Sequence, residues 1–213
     1  MIEVENLSFH AGKYYMDNSS VTRGFGLLER FLAGKRAEMA NKLIPEDLRK
    51  GTILDIGCGT VPFFLINCEF NEKYGIDPAI TISTSDDNIF LENFDIEKND
   101  TLPFDDEYFD VITMLAVFEH IEPDRLVIVL KEIKRILKNQ GRFVLTTPAK
   151  WTDRLLRIMA KFKLVSAVEI NEHKGAYGHS SIADYLSRAG FSREKMQIGF
   201  FEAFLNNWAF AEK

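Results

Sequence analysis

A chain of 213 residues, 46% hydrophobic and 27% charged, carries enough apolar material for one sizeable core and too little polar excess for disorder. The formal net charge of −6 argues against a nucleic-acid partner, because an acidic surface repels a phosphate backbone. The two cysteines, Cys58 and Cys68, form neither a metal-type pair nor a disulfide framework, no apolar run reaches membrane-spanning length, and the first residues lack a signal-peptide pattern. A cytoplasmic protein folded as one domain over residues 1–213 is expected.

In chain order, residues 1–50 read as a helical N-terminal cap, with Phe25, Leu28, Phe31, Leu32, Met39, Leu43 and Ile44 at three- and four-residue steps, punctuated by Gly34 and Pro45. From residue 52 short apolar runs alternate with helical segments: Ile53-Leu54-Asp55-Ile56, Tyr74-Gly75-Ile76, Ile89-Phe90-Leu91, Val111 to Leu115 and Phe143-Val144-Leu145. That alternation predicts βαβ units, hence an α/β fold with a mostly parallel, doubly wound sheet. The clearest helix runs from Pro123 to about Leu137, with an apolar stripe of Leu126, Val129, Leu130, Ile133, Ile136 and Leu137, and Gly141 is expected to stop it. A second amphipathic helix is expected over residues 150–165. Trp151, Leu155, Ile158, Met159 and Phe162 form its apolar side, taken to cover the sheet, beside a basic stripe of Lys150, Arg154, Arg157 and Lys161. The aromatic tail from Phe200 to Phe210 predicts two final strands joined as a hairpin near residues 199–203.

The most informative segment is Ile53-Leu54-Asp55-Ile56-Gly57-Cys58-Gly59-Thr60, an apolar strand running into a glycine turn, with Pro62 placed to open a helix. Glycines there let a ligand approach the backbone. Asp77 follows Asp55 by 22 residues, at the end of the next strand, where an open α/β sheet places an acid for the hydroxyls of a ribose. Asp95 follows 18 residues later, after a third apolar run, suited to accept a proton from an adenine amino group. A dinucleotide site fits less well, because Pro62 occupies the position of the third glycine and the Asp55 carboxylate opposes a pyrophosphate while attracting an ammonium. A ligand with a ribose, an adenine and a cationic amino-acid end is S-adenosylmethionine.

Together with Leu102-Pro103-Phe104, Phe109-Asp110-Val111, Phe118-Glu119-His120, Leu137 to Arg142 and Ala189-Gly190-Phe191, these motifs make the chain resemble class I S-adenosylmethionine-dependent methyltransferases, especially the small-molecule branch that includes quinone-biosynthesis enzymes. The resemblance implies a seven-stranded, Rossmann-like sheet with the last strand antiparallel. It also implies a core over residues 51–213 with an acceptor-side insertion around 148–182. Gly57, Cys58 and Gly59 would line the methionine part, Asp77 the ribose, Asp95 with Ile96 the adenine, and Leu115 with Ala116 the rest of the pocket, with Thr60 and Pro78 in the same site. Where the family usually continues the turn with a further glycine, this chain has Val61, a branched residue that would resist positive φ.

The acceptor side is expected to involve His120, just beyond the fourth strand, and His179, ahead of Ser180 and Ser181, which look like helix caps. The resemblance allows an N-terminal segment carrying Tyr14 and Tyr15 to fold over the cofactor, beside the reading that they pack against the sheet. Glu119, His120, His173 and His179 could assemble a metal site, but no pair has the i, i+4 spacing of helix-borne ligands, so no metal is expected. The expected acceptor is a small molecule or a lipid-type molecule; peripheral membrane contact is allowed but not favoured. Two other readings stand beside enzymatic methyl transfer: a binding-only or regulatory protein on the same fold, and a nucleotide-dependent oxidoreductase.

Overall fold

The computed structural model describes residues 28–81, 84–86, 88–162, 164–166 and 170–213. Tyr14 and Tyr15 lie outside the described residues. Among the described residues, the first helix, α1 (Glu29–Leu43), leads through a short turn to β1 (Thr52–Ile56) and the single-turn helix α2 (Phe63–Ile66). Then come β2 (Glu72–Ile76), β3 (Thr84–Asp86), β4 (Ile89–Glu92), β5 (Phe109–Leu115), α3 (Pro123–Ile136), β6 (Leu137–Pro148), α4 (Asp153–Lys161), α5 (His179–Arg188), β7 (Met196–Phe201) and β8 (Asn206–Glu212).

The strands form one sheet in the order β3-β4-β2-β1-β5-β6-β8-β7. From β4 to β6 all pairs are parallel, and β8 runs antiparallel to both β6 and β7. Seven of these strands are the ones the resemblance implies; the eighth, β3, is a three-residue edge strand antiparallel to β4. The β1 and β5 strands are buried on both faces, which is why they read as continuous apolar runs instead of alternating ones. Within them the two-residue period divides the core. Leu54, Ile112 and Met114 pack with α3 and α5, while Ile53 and Val111 pack with Ala37 and Ala40 of α1 and with Phe64 of α2.

Helix α3 starts with Pro at its first turn and buries Leu126, Val129, Leu130, Ile133 and Ile136, as its stripe predicts. Its end at Ile136 agrees with the expected one, but Gly141 is not what stops it. Leu137 is already extended and pairs with Phe109, and the ladder then shifts register before Val111 meets Arg142. Gly141 lies in that irregularity, where a Cβ would approach the Lys138 and Asp110 carbonyl oxygens to 2.9 and 3.0 Å. It is required for close backbone approach and does not cap the helix. The final hairpin also turns later than expected, through Glu202, Ala203 and Phe204, all at positive φ; Gly199 lies inside β7 under the ring of Trp208.

The predicted helix at 150–165 is shorter, a 3-10 turn followed by α4, and its apolar side is not spent on the sheet. Trp151, Leu155, Ile158 and Phe162 are all exposed, Phe162 at 72%. The chain just beyond is tied to the start of α1: the Leu28 N–H donates to the Leu164 carbonyl, and the Ser166 N–H donates to Glu29 Oε1 at 2.6 Å. Among the described residues no helix is long and apolar enough to cross a membrane.

Candidate functional site

The order of the sheet reverses beside β1, which opens a crevice at the carboxyl ends of β1 and β5. The turn after β1 follows from its glycines. Gly57 and Gly59 adopt φ of 75° and 72°, the left-handed region that glycine reaches without strain, and a Cβ on Gly57 would fall 2.3 Å from Val117 Cγ2. The turn therefore lies flat against the end of β5, held by the Gly57 N–H donating to the Ile76 carbonyl at 2.8 Å.

Two buried carboxylates meet at this turn. Asp77, 3% exposed, accepts the Gly59 N–H on Oδ2 at 3.1 Å and the Ala79 N–H on Oδ1 at 2.7 Å. Asp55, 4% exposed, accepts the Thr113 hydroxyl at 2.6 Å. Burial drives its pKa up to about 7; the Thr113 hydrogen bond opposes this and the negative charge of Asp77 adds to it. Asp95, beyond β4, is less buried. Desolvation works against its ionised form, but Lys98 at 2.9 Å and the Glu97 N–H at 3.0 Å hold its pKa below the ordinary value. The Cys58 thiol is pushed upward by burial and by Asp55 and Asp77, so it is a small inert residue of the turn and no nucleophile.

Around these groups lies a pocket of about 270 Å³. Asp55, Gly57, Cys58, Gly59, Asp77, Pro78, Asp95, Ile96, Leu115 and Ala116 line it, as the sequence suggests. Thr60 does not; it is exposed. His120 lines the pocket beside Ile121, whereas His179 lies elsewhere, its ring 4.1 Å from that of Phe200 and its Nε2 buried without a hydrogen-bond partner. Gly178, not Ser180 or Ser181, caps α5, and His179 is its first residue. Val61 lines the pocket outside the positive-φ region, so a branched side chain is accommodated there without strain. Ala116 is the strained residue, at φ 58°, where its N–H reaches the Thr146 carbonyl at the end of β6.

Sequence reasoning missed Arg36, Phe63, Phe94, Val117 and Glu172 on the pocket wall. Phe94 stands directly before Asp95 and could have been found from that position. Arg36 and Glu172 arrive from distant segments and leave no local signal.

Among the described residues the lining holds Asp55, Asp77, Asp95, Glu97 and Glu172 against Arg36. Such a wall repels a pyrophosphate and suits a ligand carrying a sulfonium and an ammonium. Asp77, Asp95 and the glycine turn line this one pocket, and their donor and acceptor groups fit S-adenosylmethionine. A sequence model described as a methyltransferase domain matches residues 27–195. The chain belongs to this methyltransferase family. An uncharacterised protein from Methanocaldococcus jannaschii is 28% identical over 149 residues, covering 63% of this chain and 60% of that protein, so the match spans less than two thirds of the relative. A methyltransferase of Archaeoglobus fulgidus described as dependent on S-adenosylmethionine superposes with a TM-score of 0.64 at 18% identity, covering 87% of this chain and 97% of that one. Phosphoethanolamine N-methyltransferase 2 of Haemonchus contortus, solved with S-adenosylmethionine, gives 0.61 at 15% identity, covering 84% of this chain and 52% of that one. At these identities the structural likenesses establish the methyltransferase fold.

Proposed function

We propose that this methyltransferase-family protein transfers the methyl group of S-adenosylmethionine to a small-molecule or lipid-type acceptor, within one domain over residues 1–213. The observation that carries the reading is the pair of buried carboxylates, Asp55 and Asp77, on a pocket wall whose charged groups, among the described residues, are mostly acidic. When bound, S-adenosylmethionine supplies an electrophilic methyl group. Asp77 takes the ribose hydroxyls, Asp95 and Ile96 take the adenine, and Asp55 attracts the ammonium. Gly57 and Gly59 allow the backbone to approach the methionine part. Catalysis is then mostly alignment, with the pocket walls excluding water and holding the acceptor in line.

His120 lines the pocket and acts on the acceptor side. The exposed apolar residues Trp151, Leu155, Ile158 and Phe162 support an acceptor with an apolar body. Calorimetry with S-adenosylmethionine and its demethylated product, followed by incubation of cell-extract fractions with isotopically labelled methyl donor, tests the reading. Binding of both ligands together with a labelled small product is expected. Binding without labelling of any fraction would favour a binding-only protein, and binding of a nicotinamide cofactor in their place would favour an oxidoreductase.

A further inference from the structure

We propose that Glu119, His120 and His173 form a site for one divalent transition-metal ion of the zinc class, with its open coordination positions turned to the pocket. One ligand atom from each residue lies within 4.8 Å of the other two, and the two imidazole rings stand 5.0 Å apart, edge to face. A tetrahedral centre with bonds of about 2.1 Å spaces its ligand atoms roughly 3.4 Å apart, so closure on an ion needs side-chain shifts of about 1 Å. Two imidazoles and one carboxylate suit zinc, iron, cobalt or manganese and are a poor set for calcium or magnesium.

The convergence is built by the backbone. Glu119 and His120 stand on the short turn Phe118–His120 after β5, and His173 arrives from a loop far along the chain. That loop is fastened to the turn: the Lys174 and Gly175 N–H groups both donate to the Glu119 carbonyl, at 2.8 and 3.2 Å. The Lys174 ammonium is paired with Glu97 at 2.7 Å and Glu122 at 3.3 Å. The main chain next to His173 is thereby held on residue 119, and the three side chains are left to converge. Glu119 is 2% exposed, while His120 lines the pocket. An ion held there has a buried carboxylate behind it and the acceptor side in front, and three protein ligands leave at least one position for an incoming group. In the terms of the function proposed above, that group is an oxygen or nitrogen donor of the acceptor; metal binding itself does not depend on that reading.

The test uses tag-free, chelator-stripped protein titrated with Zn²⁺ against a chromogenic chelator, and with Co²⁺ followed by its visible absorption. Affinity for the demethylated cofactor is measured alongside on every sample. One Zn²⁺ per chain with Kd below about 10 μM is expected. His173→Ala and Glu119→Gln should each weaken it at least about tenfold and abolish the Co²⁺ bands, with affinity for the demethylated cofactor unchanged. If His173→Ala loses that cofactor affinity through misfolding, His173→Gln replaces it. Wild-type binding weaker than about 10 μM, or variants retaining wild-type metal affinity, would overturn the site. Metal binding without any cofactor binding by the wild type would count against the proposed function and leave the metal site standing.

Discussion

Replacing Asp55 with Asn removes a buried charge and preserves its shape, and the structure fixes the sign of the result. The Asp55 pKa stands at about 7 in the folded chain against an ordinary value of 3.8. Between these values the folded chain holds a proton that the unfolded chain has lost. Stability is therefore full below about pH 4 and falls as the pH rises through the window, by about 1.4 kcal/mol per unit and toward roughly 4 kcal/mol in total. For a chain of this length that corresponds to a Tm lower by about 10 °C at pH 8 than Asp55 alone would allow at pH 4. In Asp55→Asn, Oδ1 still accepts the Thr113 hydroxyl and nothing ionises. Thermal melts from pH 4.5 to 8.5 should show the variant gaining on the wild type across the range and exceeding it at the alkaline end. A cationic ligand favours the ionised carboxylate, so wild-type cofactor binding at pH 6 should release close to one proton, counted by calorimetry in buffers of different ionisation heat. Parallel melting curves for the two proteins, or equal proton release, would refute the reasoning.

Asp77→Ala removes the acceptor of the Gly59 and Ala79 N–H groups together with the proposed ribose contacts. Affinity for the demethylated cofactor should fall at least tenfold by calorimetry, a loss of ~2–4 kcal/mol. His120→Ala should reduce turnover by ~10²-fold while cofactor affinity stays within about threefold, read from separate kinetic and binding measurements; equal damage to both would remove His120 from the acceptor side. The double substitution Ile158→Ser with Phe162→Ser should shift stability by under about 1 kcal/mol in a denaturant melt, because both side chains are exposed. Leu130→Ala, in the fully buried stripe of α3, should cost about 2–5 kcal/mol in the same assay.

What was legible in the sequence is what is local. The strand, the glycine turn and the acid at the end of the next strand are dictated within a few residues, because positive φ at Gly57 and Gly59 and a carboxylate at a strand end are backbone requirements. The stripe of α3 is equally local. The errors arose where tertiary contacts decide. Helix α3 ends at Ile136, five residues before Gly141, because Leu137 is captured by a strand partner, Phe109. Thr60 is exposed and off the pocket wall, since two glycines settle the turn and nothing in the pattern fixes the burial of the next side chain. His179 was placed by the family resemblance, and its ring packs on Phe200 from the final hairpin, a contact no local pattern announces. Arg36, and the approach of His173 to Glu119, depend on segments that meet only in the folded chain. The absence of i, i+4 spacing counted against a metal, but that spacing governs ligands on one helix and says nothing about a turn and a loop fastened together by main-chain hydrogen bonds.

The position of β8 bears on how the molecule is assembled. The last strand in the chain lies between β6 and β7 and pairs with both through seven and six residue pairs. Strand β7, although earlier in the sequence, therefore has no neighbour until β8 has been laid down. During synthesis the edge of β6 from Arg142 to Pro148 stays open, presenting unpaired N–H and C=O groups of a mostly buried strand. That interval is the one in which a growing chain is most prone to pair with another copy of itself. A chain cut at the turn through Glu202 to Leu205 would keep the complete glycine turn and both buried acids, and would still be drawn into edge-to-edge aggregation.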